Sequence, residues 1–153
     1  MKAAVICSKG IGDGLMMMTA AHRLKLEGYS VTTFQDSLHE LSDYFPGHHF
    51  EKRTAIKSLD DFSLIILQND NTPFSFDLID RYRDKMHVFY ASYEEGKHRP
   101  LTANDAVFNR EEPMVKNIAE ATAEILNCDH TIYENGITHP EGLTYKKYAK
   151  RIV

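Results

Sequence analysis

Short apolar runs alternate with amphipathic segments along the chain, and residues typical of turns separate them. Runs of strand length, either apolar or rich in β-branched and aromatic residues, occur at Ala3–Cys7, Ser30–Phe34, His49–Lys52, Phe62–Leu67 and Met86–Tyr90. Helical periodicity marks the segments Gly14–Glu27, Ser37–Phe45, Pro73–Arg83 and Glu112–Leu126. Strands that alternate with helices predict right-handed βαβ crossovers and a mostly parallel sheet. The predicted fold class is therefore α/β, Rossmann-like and doubly wound.

The first and last predicted helices each have an apolar stripe that should face the sheet. In the first helix, which Gly28 ends, the stripe consists of Leu15, Met18, Ala21 and Leu24, while the residues expected to face elsewhere are Thr19, His22, Arg23 and Lys25. In the last helix the stripe consists of Val115, Ile118, Ala119, Thr122, Ile125 and Leu126. The apolar runs Ala3–Cys7 and Phe62–Leu67 are expected to be buried inside the sheet.

Length and charge narrow the class of protein. The 153 residues suffice for one compact domain, predicted over residues 1–153. A formal net charge of -4 gives no general electrostatic reason to bind nucleic acid. No apolar run reaches the roughly 20 residues that span a bilayer, and the first apolar run is too short for a signal peptide. The expected location is the cytoplasm, with Cys7 and Cys128 as reduced, structural thiols.

The loop after the first predicted strand is rich in glycine. Gly10, Gly12 and Gly14 stand at alternate positions between Ser8 and Leu15, where they allow a sharp turn and the close approach of another molecule. The helix that follows would add free N–H groups and a partial positive charge. The spacing differs from the dinucleotide-binding G-x-G-x-x-G pattern, and no Gly-Lys-Ser/Thr of a P-loop follows. By spacing alone the loop is a weak phosphate-binding signal.

Asp13 has two interpretations. Aspartate is a strongly preferred N-cap residue, and such a cap contributes about 1 kcal/mol to helix stability. The alternative is a general base at the carboxyl end of a strand, where the helix dipole favours its negative charge and it accepts a proton from a sugar hydroxyl. The two roles are compatible.

Two further loops should open on the same edge of the sheet as Asp13, because each follows a parallel strand. The first is Gln68–Asn71 and the second is Ser92–Asp105. The second contains Lys97, His98 and Arg99, a basic cluster suited to a phosphate or carboxylate group. A solvated loop with incidental charges is the alternative for this cluster.

Histidine and acidic residues do not show metal-site spacing. The adjacent His48 and His49 would point to opposite sides of a strand, and neither H-x-x-x-H nor C-x-x-C occurs. Asp60 and Asp61 are interpreted as a turn and cap. No metal site is predicted, and no Asp-x-Asp marks a metal-dependent sugar transferase.

Residues 10–25 carry a family resemblance. The segment Gly-Ile-Gly-Asp-Gly-Leu-Met-Met-Met-Thr-Ala-Ala-His-Arg-Leu-Lys resembles the opening of heptosyltransferase-like glycosyltransferases of family 9. In that family a short strand leads to a Gly-x-Gly-Asp loop and an apolar helix. The specific match is confined to this segment, although the order of predicted elements agrees over the whole chain.

The resemblance implies a GT-B architecture, in which two Rossmann-like domains face each other across a cleft. The amino-terminal domain would receive a lipid-linked saccharide acceptor, the lipopolysaccharide core, at the inner membrane face. The other domain would hold a nucleotide-sugar donor such as ADP-heptose. Asp13 would be the catalytic base of an inverting, metal-independent transfer with no further cofactor. Acceptor or phosphate contacts are expected at Lys9, Gly10, Gly12, Gly14, Lys97, His98 and Arg99.

The carboxyl-terminal residues and two rival functions complete the expectations. Tyr145–Val153 is predicted as a basic helical turn, and Arg151–Val153 resembles the start of the first strand of a donor domain. The chain would then be the acceptor half of a longer enzyme and inactive alone; a natural frayed terminus is the alternative. The rival functions are a nucleotide-binding oxidoreductase domain and a free-standing Rossmann-like binding or interaction module.

Overall fold

The computed structural model describes residues 1–140, so the expectations for Tyr145–Val153 and Arg151–Val153 lie outside the described residues. Within the described part, six parallel strands form one sheet in the order β3-β2-β1-β4-β5-β6. The strands are β1 (Lys2–Ile6), β2 (Ser30–Phe34), β3 (His49–Glu51), β4 (Leu64–Gln68), β5 (Met86–Tyr90) and β6 (Ala106–Val107). The predicted α/β, Rossmann-like doubly wound class is confirmed.

The central strand β1 lies between β2 and β4. Ala3 pairs with Val31 on one side and with Leu64 on the other. Both faces of β1 are covered by packed side chains, which explains why Ala3, Ala4, Val5 and Ile6 are all fully buried. The chain order reverses between β1 and β4, so the switch point of the sheet lies at their carboxyl ends.

Helices cover both faces of the sheet. On one face α1 (Ile11–Leu26) packs against α3 (Met114–Ile125) and, with it, over the β1 residues Ala3 and Val5. On the other face α2 (Pro73–Tyr82) places Leu78 and Ile79 against Ala4 and Ile6. Each face of the sheet therefore has its own apolar core, and alternate residues of β1 contribute to the two cores.

Several predicted boundaries agree with the structure, and others differ for local reasons. β2 and β5 occupy the predicted residues, and Gly28, with φ of 94°, follows the last turn of α1 as expected. The short helix predicted over Ser37–Phe45 is present as a 3₁₀ helix over Leu38–Tyr44. The two-residue strand β6 was not predicted, because it is too short to carry an alternation signal.

The prediction that Thr19 and Arg23 face away from the core is wrong. Both are 1% exposed, because α3 and the segment after it cover that side of α1. Arg23 donates to Glu27 Oε1 and to the carbonyl oxygen of His130, which is 107 residues away in sequence. Thr19 Oγ1 and Arg23 Nη2 have no hydrogen-bond partner among residues 1–140. A contact this distant in sequence cannot be found from helical periodicity.

The predicted stripe of α3 is confirmed in its central part. Ile118, Ala119 and Thr122 are buried, and Thr122 Oγ1 donates to the carbonyl oxygen of Ile118.

Among the helices of residues 1–140, none combines the length and the apolar character needed to cross a membrane.

Candidate functional site

The switch point of the sheet, at the carboxyl ends of β1 and β4, is the edge where ligands bind in open α/β folds. It is bordered by the loop after β1, residues 7–10, with the first turn of α1, and by the loop after β4, residues 69–72. Lys9, Gly10 and Gly12 are exposed at this edge, while Asp13 is half-buried. We call these two loops and the first turn of α1 the switch-point crevice.

Two glutamines hold the loop after β1 from either side. Gln68, the last residue of β4, accepts a hydrogen bond from the backbone N–H of Ser8 (3.0 Å). Gln35, directly after β2, donates from Nε2 to the carbonyl oxygen of Lys9 (2.9 Å). Both are polar residues at or just past the carboxyl end of a buried strand. Sequence reasoning missed Gln35 entirely and named Gln68 only as part of a loop, although a glutamine that ends an apolar run was a usable signal.

Asp13 is the third residue of α1, and the expected N-cap role is wrong. The helix begins at Ile11, three residues earlier than predicted, with Gly10 as its N-cap residue. The Asp13 carboxylate turns back toward the loop, where Oδ2 accepts a hydrogen bond from Ser8 Oγ (2.8 Å). A carboxylate in the first turn of a helix is stabilised by the free N–H groups and the dipole.

The three glycines of the loop have three different environments. Gly10 has an ordinary φ of -68°, and an added Cβ would lie 3.3 Å from Asp13 Oδ2, so the missing side chain leaves room for the carboxylate. An added Cβ on Gly12 would have no atom within 4 Å, so this residue presents an open surface. On Gly14 it would lie 2.9 Å from Gln35 Cγ. Close approach to protein, not to a ligand, therefore explains Gly14.

The hydrogen bonds of Gln35 and Asp36 argue against a dinucleotide bound in the usual Rossmann manner. That mode needs a free acidic residue at the end of the second strand for the ribose. In this chain Gln35 fills that position and its Oε1 accepts from the N–H groups of Ser37 and Leu38. The next residue, Asp36, accepts from the N–H of Arg53. The β2 side of the loop is therefore packed with protein.

A nearly buried ion pair lies at the same edge of the sheet, and sequence reasoning missed it. Arg53 Nη1 donates to Asp70 Oδ2 (3.0 Å), and the two side chains are only 5% and 12% exposed. The guanidinium stacks 4.2 Å from the ring centroid of Phe74. Burial alone would raise the pKa of Asp70, but hydrogen bonds from Ser75 and Thr72, with Arg53, hold it below its ordinary value.

Cys7, the residue that follows β1, is buried close enough to Arg53 and Asp13 for both charges to act on it. Burial raises the pKa of its thiol far above the ordinary value, while the charge of Arg53 opposes the shift and that of Asp13 adds to it. Both charges therefore act on the same buried thiol. Cys7 is inert rather than nucleophilic, and both cysteines are free.

The structure places the predicted basic cluster among other partners. Lys97 pairs with Glu94, and His98 packs against the rings of Tyr90 and Tyr93. Arg99 forms two hydrogen bonds with Asp80 of α2 and stacks on Phe76. None of these contacts involves Ser8, Asp13 or Gln68. Of the predicted basic residues, Lys9 alone belongs to the switch-point crevice; its ammonium group has no partner among residues 1–140.

Histidines meet at a second place, away from the crevice. His22 Nδ1 lies 3.3 Å from His48 Nε2, and burial lowers the pKa of both rings. Residues 1–140 contain no group of three or more His, Cys, Asp or Glu that is arranged to hold a metal ion.

Two cavities lie away from the crevice. A cavity of about 290 Å³ is lined by residues at the amino ends of β5 and β6, including His87, Asn104 and Asp105. A second, of about 330 Å³, is lined by Arg83 and by residues of α2 and of the loop before β6, including Ile79 and Pro100. The carboxyl edge, with its paired polar groups, is the better candidate site, because ligands of this architecture bind there.

Neither the family models nor the curated proteins against which the sequence was compared give a match to this chain.

Proposed function

We propose that the chain is the acceptor-binding domain of an inverting, metal-independent glycosyltransferase that resembles the heptosyltransferases. One observation carries the proposal: the Asp13 carboxylate is held in the switch-point crevice with only one oxygen engaged. Oδ2 accepts from Ser8, while Oδ1 makes no hydrogen bond within residues 1–140. A general base needs such an available oxygen within reach of the proton that it removes.

The proposed reaction is a single displacement. The oxygen of an acceptor hydroxyl attacks the anomeric carbon of the donor sugar while Asp13 Oδ1 takes the hydroxyl proton. The bond from the anomeric carbon to the nucleoside diphosphate breaks, and the diphosphate leaves with the electron pair. Configuration at the anomeric carbon inverts, because attack and departure occur on opposite faces.

The proposed reaction needs two substrates, and each would be bound by a different domain. A second domain would hold the nucleotide sugar, for which ADP-heptose is the model donor, and a helix N-terminus there would stabilise the leaving diphosphate. The acceptor would be a lipid-linked saccharide, which brings the enzyme to the cytoplasmic face of the inner membrane as a peripheral protein.

Asp13→Asn in the complete enzyme tests the proposal. Asparagine keeps the shape of the side chain and an oxygen for Ser8, but it cannot take up a proton at neutral pH. We expect initial rates of transfer to fall about 10²–10⁴-fold, the usual contribution of a general base. Folding should be weakened by only about 0.3–1 kcal/mol, through the lost charge in the first turn of α1.

Asp43→Asn is the matched control, because Asp43 is exposed in the 3₁₀ helix after β2. It should transfer at the wild-type rate. Wild-type rates for Asp13→Asn, with a normal thermal melt, would show that Asp13 only orders the loop.

A further inference from the structure

Gln68 presents a hydrogen-bond donor at the crevice that no other group of residues 1–140 engages. The side chain is 9% exposed and follows Ile66 on the α1 face of β4. Its Oε1 must be the atom that faces Ser8, because the Ser8 N–H can only donate. The amide NH₂ group is thereby fixed in the opposite direction.

The Nε2 atom of Gln68 has no hydrogen-bond partner within residues 1–140 and remains in contact with solvent. The comparison with Gln35 shows what a purely structural glutamine does at this edge. Gln35 uses Nε2 for the Lys9 carbonyl and Oε1 for two backbone N–H groups. Half of the hydrogen-bonding capacity of Gln68, by contrast, is directed outward at the switch point.

Ser8 fixes this donor beside an acceptor. Its backbone N–H orients Gln68, and its hydroxyl orients Asp13, whose Oδ1 has no hydrogen-bond partner within the described residues 1–140. Gln68 and Asp13 therefore face the crevice from β4 and from α1, and both are positioned by one residue. A ligand that satisfies both must accept a hydrogen bond and donate another, as adjacent hydroxyl groups do.

The charges at this edge disfavour an anion. At the carboxyl ends of β1 to β4, four carboxylates (Asp13, Asp36, Glu51 and Asp70) stand against three cations (Lys9, Lys52 and Arg53). Arg53 is already paired with Asp70 and stacked on Phe74. A phosphate at the first turn of α1 would also lie near the Asp13 carboxylate, and the like charges would repel each other.

We propose that Gln68 and Asp13 form a donor–acceptor pair for adjacent, uncharged sugar hydroxyls, with Gln68 Nε2 as an additional ligand-binding group. The inference rests on the proposed function in that the crevice is the acceptor site, and it gives that site a substrate class. The reactive part of the acceptor is a neutral sugar ring, and phosphate or carboxylate substituents bind elsewhere.

Titrations of the 153-residue chain followed by two-dimensional ¹H–¹⁵N NMR test this inference. The probes, in separate arms, are inorganic phosphate and the neutral methyl glycosides of glucose, galactose and mannose. At least one glycoside should shift the backbone amides of Gly12 and Asp13 and the side-chain NH₂ of Gln68, whereas phosphate should not. Shifts at these groups on addition of phosphate would overturn the inference. So would the absence of shifts with all three glycosides, each tested up to its limit of solubility.

Gln68→Glu separates the two ends of the side chain. Glutamate still accepts from the Ser8 N–H but has no NH₂ to donate, so affinity for the glycoside should fall about threefold to tenfold. Asn104→Asp, which adds the same charge at the amino ends of the strands, should bind as the wild type does. Unchanged affinity in Gln68→Glu contradicts the role of Gln68. It leaves the base role of Asp13 to be decided by the rates of Asp13→Asn. The wild-type titration decides the ligand class even if Gln68→Glu does not fold.

Discussion

Gly14 of α1 and Gln35 after β2 approach so closely that a Cβ on Gly14 would lie 2.9 Å from Gln35 Cγ. Leu38 Cδ1 would also be 3.1 Å away. Because Gln35 is fully buried and engaged at both ends of its amide, it cannot move aside freely. The packing of the first turn of α1 against the β2 side of the loop therefore depends on a glycine.

Gly14→Ala should lower the free energy of unfolding by about 1–3 kcal/mol, the usual cost of overpacking a dense core. Gly12→Ala is the control in the same helix turn, because its Cβ would meet no atom within 4 Å. It should be neutral or stabilising by up to about 1 kcal/mol, through reduced freedom of the unfolded chain. Urea unfolding of both variants measures the difference. Equal stabilities would mean that Gln35 and Leu38 yield to the added methyl group.

Removing one partner of the ion pair between Arg53 and Asp70 should destabilise the folded protein. Arg53→Met should lower the free energy of unfolding by about 3 kcal/mol, because it leaves a carboxylate in a site that is mostly hidden from water. Adding Asp70→Asn should recover part of that loss, and a double-mutant cycle measures the coupling. Arg81→Met breaks the exposed pair with Asp77 and should cost less than about 1 kcal/mol. A similar loss of stability in Arg53→Met and Arg81→Met would contradict the claim that burial makes the Arg53–Asp70 pair the more important of the two.

The pair of His22 and His48 should make the fold sensitive to mild acid. Burial, then the charges of Lys25 and His22, lower the pKa of His48 to about 4, against 6.5 for an unperturbed histidine. Between these values the unfolded chain binds more protons than the folded chain, so stability must fall as the pH falls from 6.5 toward 4. Thermal melts across that range measure the slope.

His48→Phe should flatten this slope while keeping ring contacts with Phe45 and Phe50. Part of the slope should remain, because burial lowers the pKa of His87 as well. His39→Phe, at an exposed position, should keep the wild-type slope. An unchanged slope in His48→Phe would exclude His48 as the cause.

The 153-residue chain should neither turn over a nucleotide sugar nor bind one tightly, because the proposed donor site belongs to another domain. Isothermal titration calorimetry with ADP-heptose measures this directly, and the complete enzyme is the positive control. Stoichiometric binding to the 153-residue chain would place the donor site within it and would contradict the proposed division between the domains.

The sequence predicted best those strands that their own residue types identify. β2 and β5 are short runs of β-branched and aromatic residues, and they begin and end where predicted. The start of α1 was misplaced because three glycines normally indicate a loop. In the structure two of them, Gly12 and Gly14, belong to the first two turns of the helix, where Asp13 and the Ser8 hydrogen bond offset their low propensity.

Contacts between distant segments account for the rest. The burial of Arg23 depends on His130, and the orientation of Gln68 depends on Ser8. Neither pair leaves a periodic trace in the sequence. Asp13 was proposed as a base from its place after a strand and from the family resemblance, and the loop that starts at Gln68 was expected on the same edge. The contacts that Gln35, Gln68 and Arg53 make there depend on how distant segments pack.

The central position of β1 has a consequence for synthesis of the protein. β1 is made before β4, which is one of its two neighbours, and the Ser8–Gln68 hydrogen bond closes a separation of 60 residues. While the chain emerges from the ribosome, β1 and β2 present an uncovered apolar edge until β4 is released. We expect this interval to be the period in which the nascent chain most needs protection from aggregation.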